Sequence, residues 1–127
     1  MESINGTPAI WARDRQQWRQ WLAENHLTTP RIWLIIVHKH SRMPGIRYEE
    51  AVEEALCFGW IDSTARSRDK ESGYQYFTRR KPGSTWSQSN RDRVERLMRE
   101  GKMTPAGIEM VENAKRKGLW DRQSNEK

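Results

Sequence analysis

The spacing of hydrophobic positions predicts two helices in the first half of the chain. Trp18, Trp21 and Leu22 follow Trp11 at offsets of 7, 10 and 11, so all four residues fall on one stripe of a helix over residues 10–23. A second apolar stripe over residues 48–58 predicts another helix. Its N-terminal half is rich in glutamate, and Gly59 stands where a C-terminal cap is expected.

Capping signals predict two further helices in the second half of the chain. Ser84, Thr85 or Ser87 can cap a third helix, which ends at Gly101. Thr104 followed by Pro105 is typical of a helix start, and this fourth helix extends to residue 118. The third helix is predicted to turn four residues inward: Asn90, Val94, Leu97 and Met98.

Three segments have the pattern of β-strands. Residues 31–38 are apolar on both alternating faces and rich in β-branched and aromatic residues, which favours a central buried strand. Residues 60–68 and 74–80 suit two more strands, joined by a polar hairpin turn over 69–73. The fold is therefore predicted to be α+β, with a small, mostly antiparallel sheet of about three strands packed with about four helices in the order α-β-α-β-β-α-α.

A chain of 127 residues is expected to form one domain, with a core over about residues 10–120 and a polar, frayed tail over 121–127. Seven tryptophans predict an aromatic-rich core, because each indole can bury on the order of 200 Å². We expect Trp33 and Trp60 to be largely buried.

Charge and cysteine content narrow the partners and the compartment. The formal net charge of +6 predicts a basic surface that attracts phosphates, nucleic acid or other anions. Cys57 is the single cysteine, so an intramolecular disulfide is excluded and a reducing compartment is favoured. The first residues lack a signal-peptide pattern, and no apolar run approaches the ~18 residues of a membrane span. We therefore expect a cytoplasmic protein.

Three segments carry a resemblance to a known family. They are YEEAVEEALCFGWID (residues 48–62), YFTRRKPGSTWS (residues 76–87) followed by Asn90, and Arg93-Val-Glu followed by GKMTPAG (residues 101–107). In order and spacing they resemble the bacteriocin-protection, YdeI or OmpD-associated family of bacterial proteins, over about Trp18 to Trp120. Arg47 departs from the family pattern, in which Ser or Thr would complete a capping box with Glu50.

The resemblance implies a function only in outline. The family's name suggests tolerance of bacteriocins or antimicrobial peptides and a link to an outer-membrane porin. Its description also suggests a periplasmic site, which the missing signal-peptide pattern disfavours here.

The strongest candidate site combines a cationic loop with the start of the third helix. The loop, Arg79-Arg-Lys81, precedes a helix N-terminus that offers unpaired N–H groups, so phosphate is the simplest expected ligand. Trp60 and Trp86 could add flat stacking surfaces. The alternative is structural: buried tryptophans, a capping serine and an Asp62–arginine pair. The predicted ligand-binding residues are Asp62, Arg79, Arg80, Lys81, Trp86, Ser87 and Asn90.

Other candidate chemistry is weaker. His38 and His40 lie two apart on one strand face and could share a metal with His26, but no completing carboxylate or cysteine is evident, and we expect no metal or other cofactor. Cys57 is expected to be a small buried hydrophobe, and the glutamates of residues 49–54 a solvated helical face. No P-loop, dinucleotide turn or catalytic triad appears, so no catalytic residue is assigned.

Three functions remain in order of preference. The first is a non-enzymatic stress or envelope-protection protein that binds an anionic ligand or a protein partner through a basic surface. The second is a nucleic-acid-binding protein, and the third is a small-molecule enzyme. The sequence leaves the oligomeric state open.

Overall fold

Residues 2–121, which the computed structural model describes, form a sheet and a layer of helices. The strands are β1 (Ser3–Ile4), β2 (Thr7–Trp11), β3 (Arg31–Val37), β4 (Trp60–Ser67) and β5 (Ser72–Arg79). The helices are α1 (Arg15–Asn25), α2 (Tyr48–Cys57), α3 (Gln88–Arg99) and α4 (Pro105–Arg116). The predicted polar tail lies outside the described residues beyond position 121.

The strands form one mixed sheet in the order β1-β2-β3-β5-β4. Strand β3 is central, as predicted, and six of its seven residues are buried. It pairs parallel with β2 and antiparallel with β5, while β4–β5 is the predicted hairpin. Strand β4 therefore forms one edge of the sheet.

The prediction of about three strands is wrong, because two further strands precede the first helix and the sheet has five. Three of the four pairings are antiparallel and the β2–β3 pairing is parallel, so the sheet is mixed. Trp11 fits a helical period by spacing, but it lies in β2 and is 46% exposed. The helix begins at Arg15 because the Asp14 side chain caps it, accepting a hydrogen bond from the Gln17 N–H at 3.0 Å. The class remains α+β, with four helices among the described residues.

The dipeptide Asn5-Gly6 marks the turn between β1 and β2 in the sequence. Asn5 and Gly6 both adopt positive φ, 51° and 83°. Asn-Gly favours this turn between antiparallel strands, because both residues tolerate the left-handed backbone that the tight hairpin requires. Helix α1 then connects the parallel strands β2 and β3.

The predicted starts of the remaining helices are confirmed. Ser87 caps α3 by accepting from the Asn90 N–H, and Thr104 caps α4 by accepting from the Gly107 N–H. At α2, the Glu50 carboxylate accepts from the backbone N–H of Arg47 at 3.2 Å, so half of a capping box forms without Ser or Thr. The predicted inward position of Met98 is wrong, since its side chain is 40% exposed.

Two apolar clusters meet at α2 and form the core. The first joins α1 and α2 to the alternate β3 residues Ile32, Leu34 and Ile36, and includes Trp18, Trp60 and Phe77. The second joins α3 and α4 to α2 and includes Trp86 and Trp120. Trp33 and Trp60 are 6% and 0% exposed, which confirms their predicted burial. Helix α2 is thus the central helix of the layer.

The other face of the sheet, which we call the outer face, belongs to neither cluster. Trp33, Ile35 and Val37 alternate with the core residues of β3 and point to this side. Register places Trp33 opposite Tyr76 and between β5 and Ala9 of β2. Among residues 2–121, the helices pack on the opposite side and leave the outer face to strand side chains and loops.

A cluster of ion pairs holds three helices together. Glu53 and Glu54 on α2 are 9% and 3% exposed, so the prediction of a solvated glutamate face is wrong at these two positions. The Arg15 guanidinium on α1 contacts both carboxylates, at 2.8 Å and 2.6 Å. Arg19 donates to Glu54 at 2.8 Å, and Arg96 on α3 donates to Glu53. Each buried carboxylate therefore faces two guanidinium groups.

Glu54→Ala should lower the free energy of unfolding by about 3 kcal/mol, because it leaves Arg19 without a carboxylate partner and Arg15 with Glu53 alone. That figure is the low end for a buried pair, since Arg15 and Arg19 keep 30% and 31% of their side-chain surface exposed. Urea denaturation measures the change. Glu95→Ala, at an exposed site on α3, should shift the midpoint little. Equal losses in the two variants would contradict a structural role for the cluster.

None of the helices in residues 2–121 is long and apolar enough to cross a membrane.

Candidate functional site

A polar cleft opens between the edge strand β4 and the N-terminus of α3. Its volume is about 600 Å³. It brings together three of the predicted ligand-binding residues, Asp62, Ser87 and Asn90. Its full lining consists of Tyr48, Ile61, Asp62, Ser63, Ser87, Ser89, Asn90 and Arg93.

Asp62 is held in the cleft by two hydrogen bonds to one oxygen. Its Oδ2 accepts from the Tyr48 hydroxyl at 2.8 Å and from Gln75 Nε2 at 3.1 Å. Burial, together with the hydrogen bond to Asp62, raises the pKa of Tyr48 to about 12. The tyrosine therefore remains a hydrogen-bond donor to Asp62 at physiological pH.

Asn90 and Arg93 form the helical wall of the cleft. Asn90 is only 6% exposed, and its Oδ1 accepts from Arg93 Nη1 at 2.8 Å. The same guanidinium donates to both oxygens of Glu49 on α2, at 2.5 Å and 3.0 Å. The pKa of Glu49 is accordingly lowered, first by its hydrogen bond to Arg93. The positive charge of Arg93 is therefore already balanced by the Glu49 carboxylate.

The predicted cationic loop does not form one surface with this cleft. Arg80 is 4% exposed; its Nη2 donates to the Thr85 carbonyl at 2.5 Å, and its guanidinium lies 3.8 Å from the centre of the Trp86 ring. Arg79 donates to the Leu27 carbonyl at 2.7 Å and lines a different, more apolar pocket beside α4. Lys81 is exposed and lines neither the polar cleft nor the pocket beside α4.

Trp86 has a structural position. It is 1% exposed and packs against Trp120 with ring centres 5.0 Å apart. Together with Arg80 above its ring, it ties the loop after β5 to the second apolar cluster. Trp86 is therefore a buried structural residue, which is the alternative that the sequence left open. Arg80 also has a structural position, through its contacts with the Trp86 ring and the Thr85 carbonyl.

A second pocket, which we call the outer-face pocket, lies across the sheet. Its volume is about 320 Å³, and it spans residues from all five strands or their β1–β2 turn. Two arginines line it, and it contains no aspartate or glutamate. Its residues are Ile4, Asn5, Thr7, Arg31, Trp33, Thr64, Arg66 and Tyr76.

Aromatic rings form the floor of the outer-face pocket. The Trp33 and Tyr76 ring centres are 4.7 Å apart. Tyr74 stands edge-on to Trp33 at 6.3 Å but lies outside the pocket lining, and its hydroxyl donates to the Glu2 carboxylate. The Arg66 guanidinium lies 6.0 Å from the Trp33 ring. Arg31 and Arg66 are both exposed, and neither forms an ion pair with any residue in the described part of the chain.

The outer-face pocket was not predicted from the sequence, because Trp33 was interpreted only as a core residue. The signal was the alternation of Tyr74 and Tyr76 on one strand, with Arg66 opposite Tyr74 on the next. Strand pairing brings these residues together, but the register of the β4–β5 hairpin was needed to see it.

Residues 10–110 match the family model of a domain of unknown function, DUF8412. The chain belongs to the DUF8412 family. The comparisons of this chain with curated proteins and with solved structures found no match. The matched region contains both the polar cleft and the strands β3, β4 and β5 of the outer face.

The residues considered for metal binding are dispersed in this DUF8412 chain. His38 and His40 lie with ring centres 5.6 Å apart, whereas His26 packs against Phe58 at the end of α1. Within residues 2–121 no three His, Cys, Asp or Glu side chains are grouped to hold a metal ion. Cys57 is fully buried, and burial raises the pKa of its thiol, as expected for a structural cysteine.

The phenol of Tyr48 should titrate with a midpoint of about 12. Folding raises this pKa above its ordinary value of 10, so the protonated phenol stabilises the folded state. This contribution to the free energy of unfolding is complete below pH 10 and is lost as pH rises towards 12. The phenolate absorbance of wild type minus Tyr48→Phe reports the midpoint. Asp62→Asn should lower it, since the carboxylate contributes to the shift, while burial should keep it above 10. A wild-type midpoint near 10 would contradict the hydrogen bond from Tyr48 to Asp62.

Proposed function

We propose that this protein binds single-stranded nucleic acid on the outer face of its sheet. The observation that carries the proposal is the outer-face pocket, in which two arginines without ion-pair partners flank an aromatic floor and no carboxylate is present. This keeps the expected anionic ligand but moves its site from the Arg79-Arg-Lys81 loop to the sheet.

The charge pattern supports a phosphate-bearing ligand. Arg31 on β3 and Arg66 on β4 belong to strands separated by β5, so two guanidinium groups stand on either side of the aromatic rings. A guanidinium can donate two parallel hydrogen bonds to a phosphate. In contrast, the Arg68 guanidinium near this face is already paired with Glu2 at 2.7 Å.

The aromatic floor supports a ligand with flat rings. Tyr76 is half-buried in the pocket and packs against Trp33 with ring centres 4.7 Å apart. Base stacking on such side chains contributes about 1–3 kcal/mol per base and tolerates any sequence. Unpaired bases are accessible to a flat sheet, whereas reading a duplex requires an element that enters a groove. Single strands therefore match this face better than duplexes.

Fluorescence anisotropy with labelled single-stranded RNA and DNA of about 12 nucleotides tests the proposal. Two neutralised phosphates predict a slope of about −1.4 in log affinity against log salt, or roughly sevenfold weaker binding for a fourfold rise in salt. Arg31→Glu with Arg66→Glu should weaken binding at least about tenfold and flatten this dependence. Tyr76→Ala should also cost roughly tenfold, through lost stacking.

Arg99→Glu with Arg116→Glu is the matched control. Both residues are exposed on helices away from the outer face, and the variant carries the same net charge. It should retain most of the affinity, because local contacts rather than overall charge hold the strand. Equal loss in both double variants, or tighter binding of a duplex than of a single strand, would overturn the proposal.

The cellular role we propose follows the resemblance to the bacteriocin-protection, YdeI or OmpD-associated family. Nucleic-acid binding would then support stress or envelope protection from the cytoplasm. In a host bacterium lacking the gene, wild-type protein should restore bacteriocin tolerance, and the Arg31→Glu/Arg66→Glu variant should not. Full restoration of bacteriocin tolerance by that variant at equal abundance would show that tolerance does not require the outer face. It would then favour a protein partner that binds another surface.

A further inference from the structure

The polar cleft differs from the outer face in both position and charge. Asp62 pairs in register with Phe77, so its side chain lies on the helix side of the sheet, opposite the aromatic pocket. The lining carries one carboxylate, Asp62, and one guanidinium, Arg93, which Glu49 already engages through both oxygens. The cleft therefore offers no positive charge that would hold an anion.

Several polar groups in the cleft retain unused hydrogen-bonding capacity. Tyr48 and Gln75 both donate to Oδ2 of Asp62, and Oδ1 accepts no bond from residues 2–121. Asn90 uses its Oδ1 for Arg93, while its Nδ2 donates to none of the described groups. Asn90 is only 6% exposed as a residue and lines the cleft, where its amide nitrogen can donate to a bound ligand.

The remaining lining adds hydroxyl groups and one exposed ring. Ser63 and Ser89 are exposed at the mouth of the cleft, and the Tyr48 side chain is 42% exposed. Hydroxyl groups both donate and accept, whereas Asp62 Oδ1 only accepts and Asn90 Nδ2 only donates. A ligand that matches this lining must donate and accept at adjacent positions and carry no anionic group.

We propose that the polar cleft is a second binding site, for a neutral polyhydroxylated ligand of the saccharide class. One sugar hydroxyl donates to Asp62 Oδ1, and another accepts from Asn90 Nδ2. The exposed part of the Tyr48 ring packs against the apolar C–H groups of the sugar. The volume of about 600 Å³ falls in the range of small-molecule sites. This site does not depend on the nucleic-acid face.

Saturation-transfer NMR with glucose, galactose, ribose and N-acetylglucosamine tests the proposal. At least one sugar should receive saturation from the wild-type protein. Asp62→Ala should weaken its binding at least about tenfold, because the only charged acceptor in the cleft is removed. Asp92→Ala, an exposed aspartate on α3 outside the cleft, should bind normally. Circular dichroism confirms that both variants fold.

The alternatives give distinct outcomes. Transfer to none of the four sugars, or transfer that Asp62→Ala leaves unchanged, overturns the saccharide site. Inorganic phosphate that shifts the backbone amide signals of Ser89 and Asn90 more strongly than any sugar shows an anion site at the helix N-terminus instead. Oligonucleotide affinity should be unchanged in Asp62→Ala, so failure here leaves the outer-face proposal separately testable.

Discussion

The buried glutamates of α2 are the constraint on which the rest of the structure depends. Glu53 and Glu54 lie in the buried part of α2, among Ala51, Val52 and Ala55, and removing such carboxylates from water is costly unless each is paired and hydrogen-bonded. Arginines from α1 and α3 meet this requirement from two sides. The pairing fixes both helices against α2 on one side of the sheet, and the outer face is left without a helix.

Much of the positive charge of this protein is used inside it. Arg47 donates to the His38 and Ser41 carbonyls, Arg80 lies over Trp86, and Arg93 clamps Glu49. The net charge of +6 is therefore a poor guide to where a partner binds. The informative cations are those without an ion-pair partner, and Arg31 and Arg66 satisfy that condition beside the half-buried ring of Tyr76.

Local signals predicted most of the helices and the hairpin. Ser87 and Thr104 mark helix starts through side-chain hydrogen bonds within three residues, and such contacts are visible in sequence. The first strands were missed because Trp11 satisfies a helical period by coincidence, while the competing cap at Asp14 is decided by a single hydrogen bond. Periodicity over one long gap is weaker evidence than a capping residue.

The candidate site was predicted in part. Asp62, Ser87 and Asn90 do converge in one cleft, because the strand after α2 and the start of α3 are adjacent in space. Neither the burial of Arg80 nor the outer-face pocket could be predicted, since both depend on tertiary contacts. Arg80 packs on the Trp86 ring, and the pocket requires the strand register that aligns Trp33 with Tyr76. Sequence proximity grouped three cations that the fold separates.

Amide and indole chemical shifts during titration with a single-stranded oligonucleotide locate the bound strand. Salt-sensitive shifts should be concentrated at the Trp33 indole N–H, the Tyr76 amide and the amides of β4 around Arg66, with the Trp86 indole N–H unmoved. Shifts confined to the Arg79-Arg-Lys81 loop or to the polar cleft, with the outer face unchanged, would contradict nucleic-acid binding on the outer face.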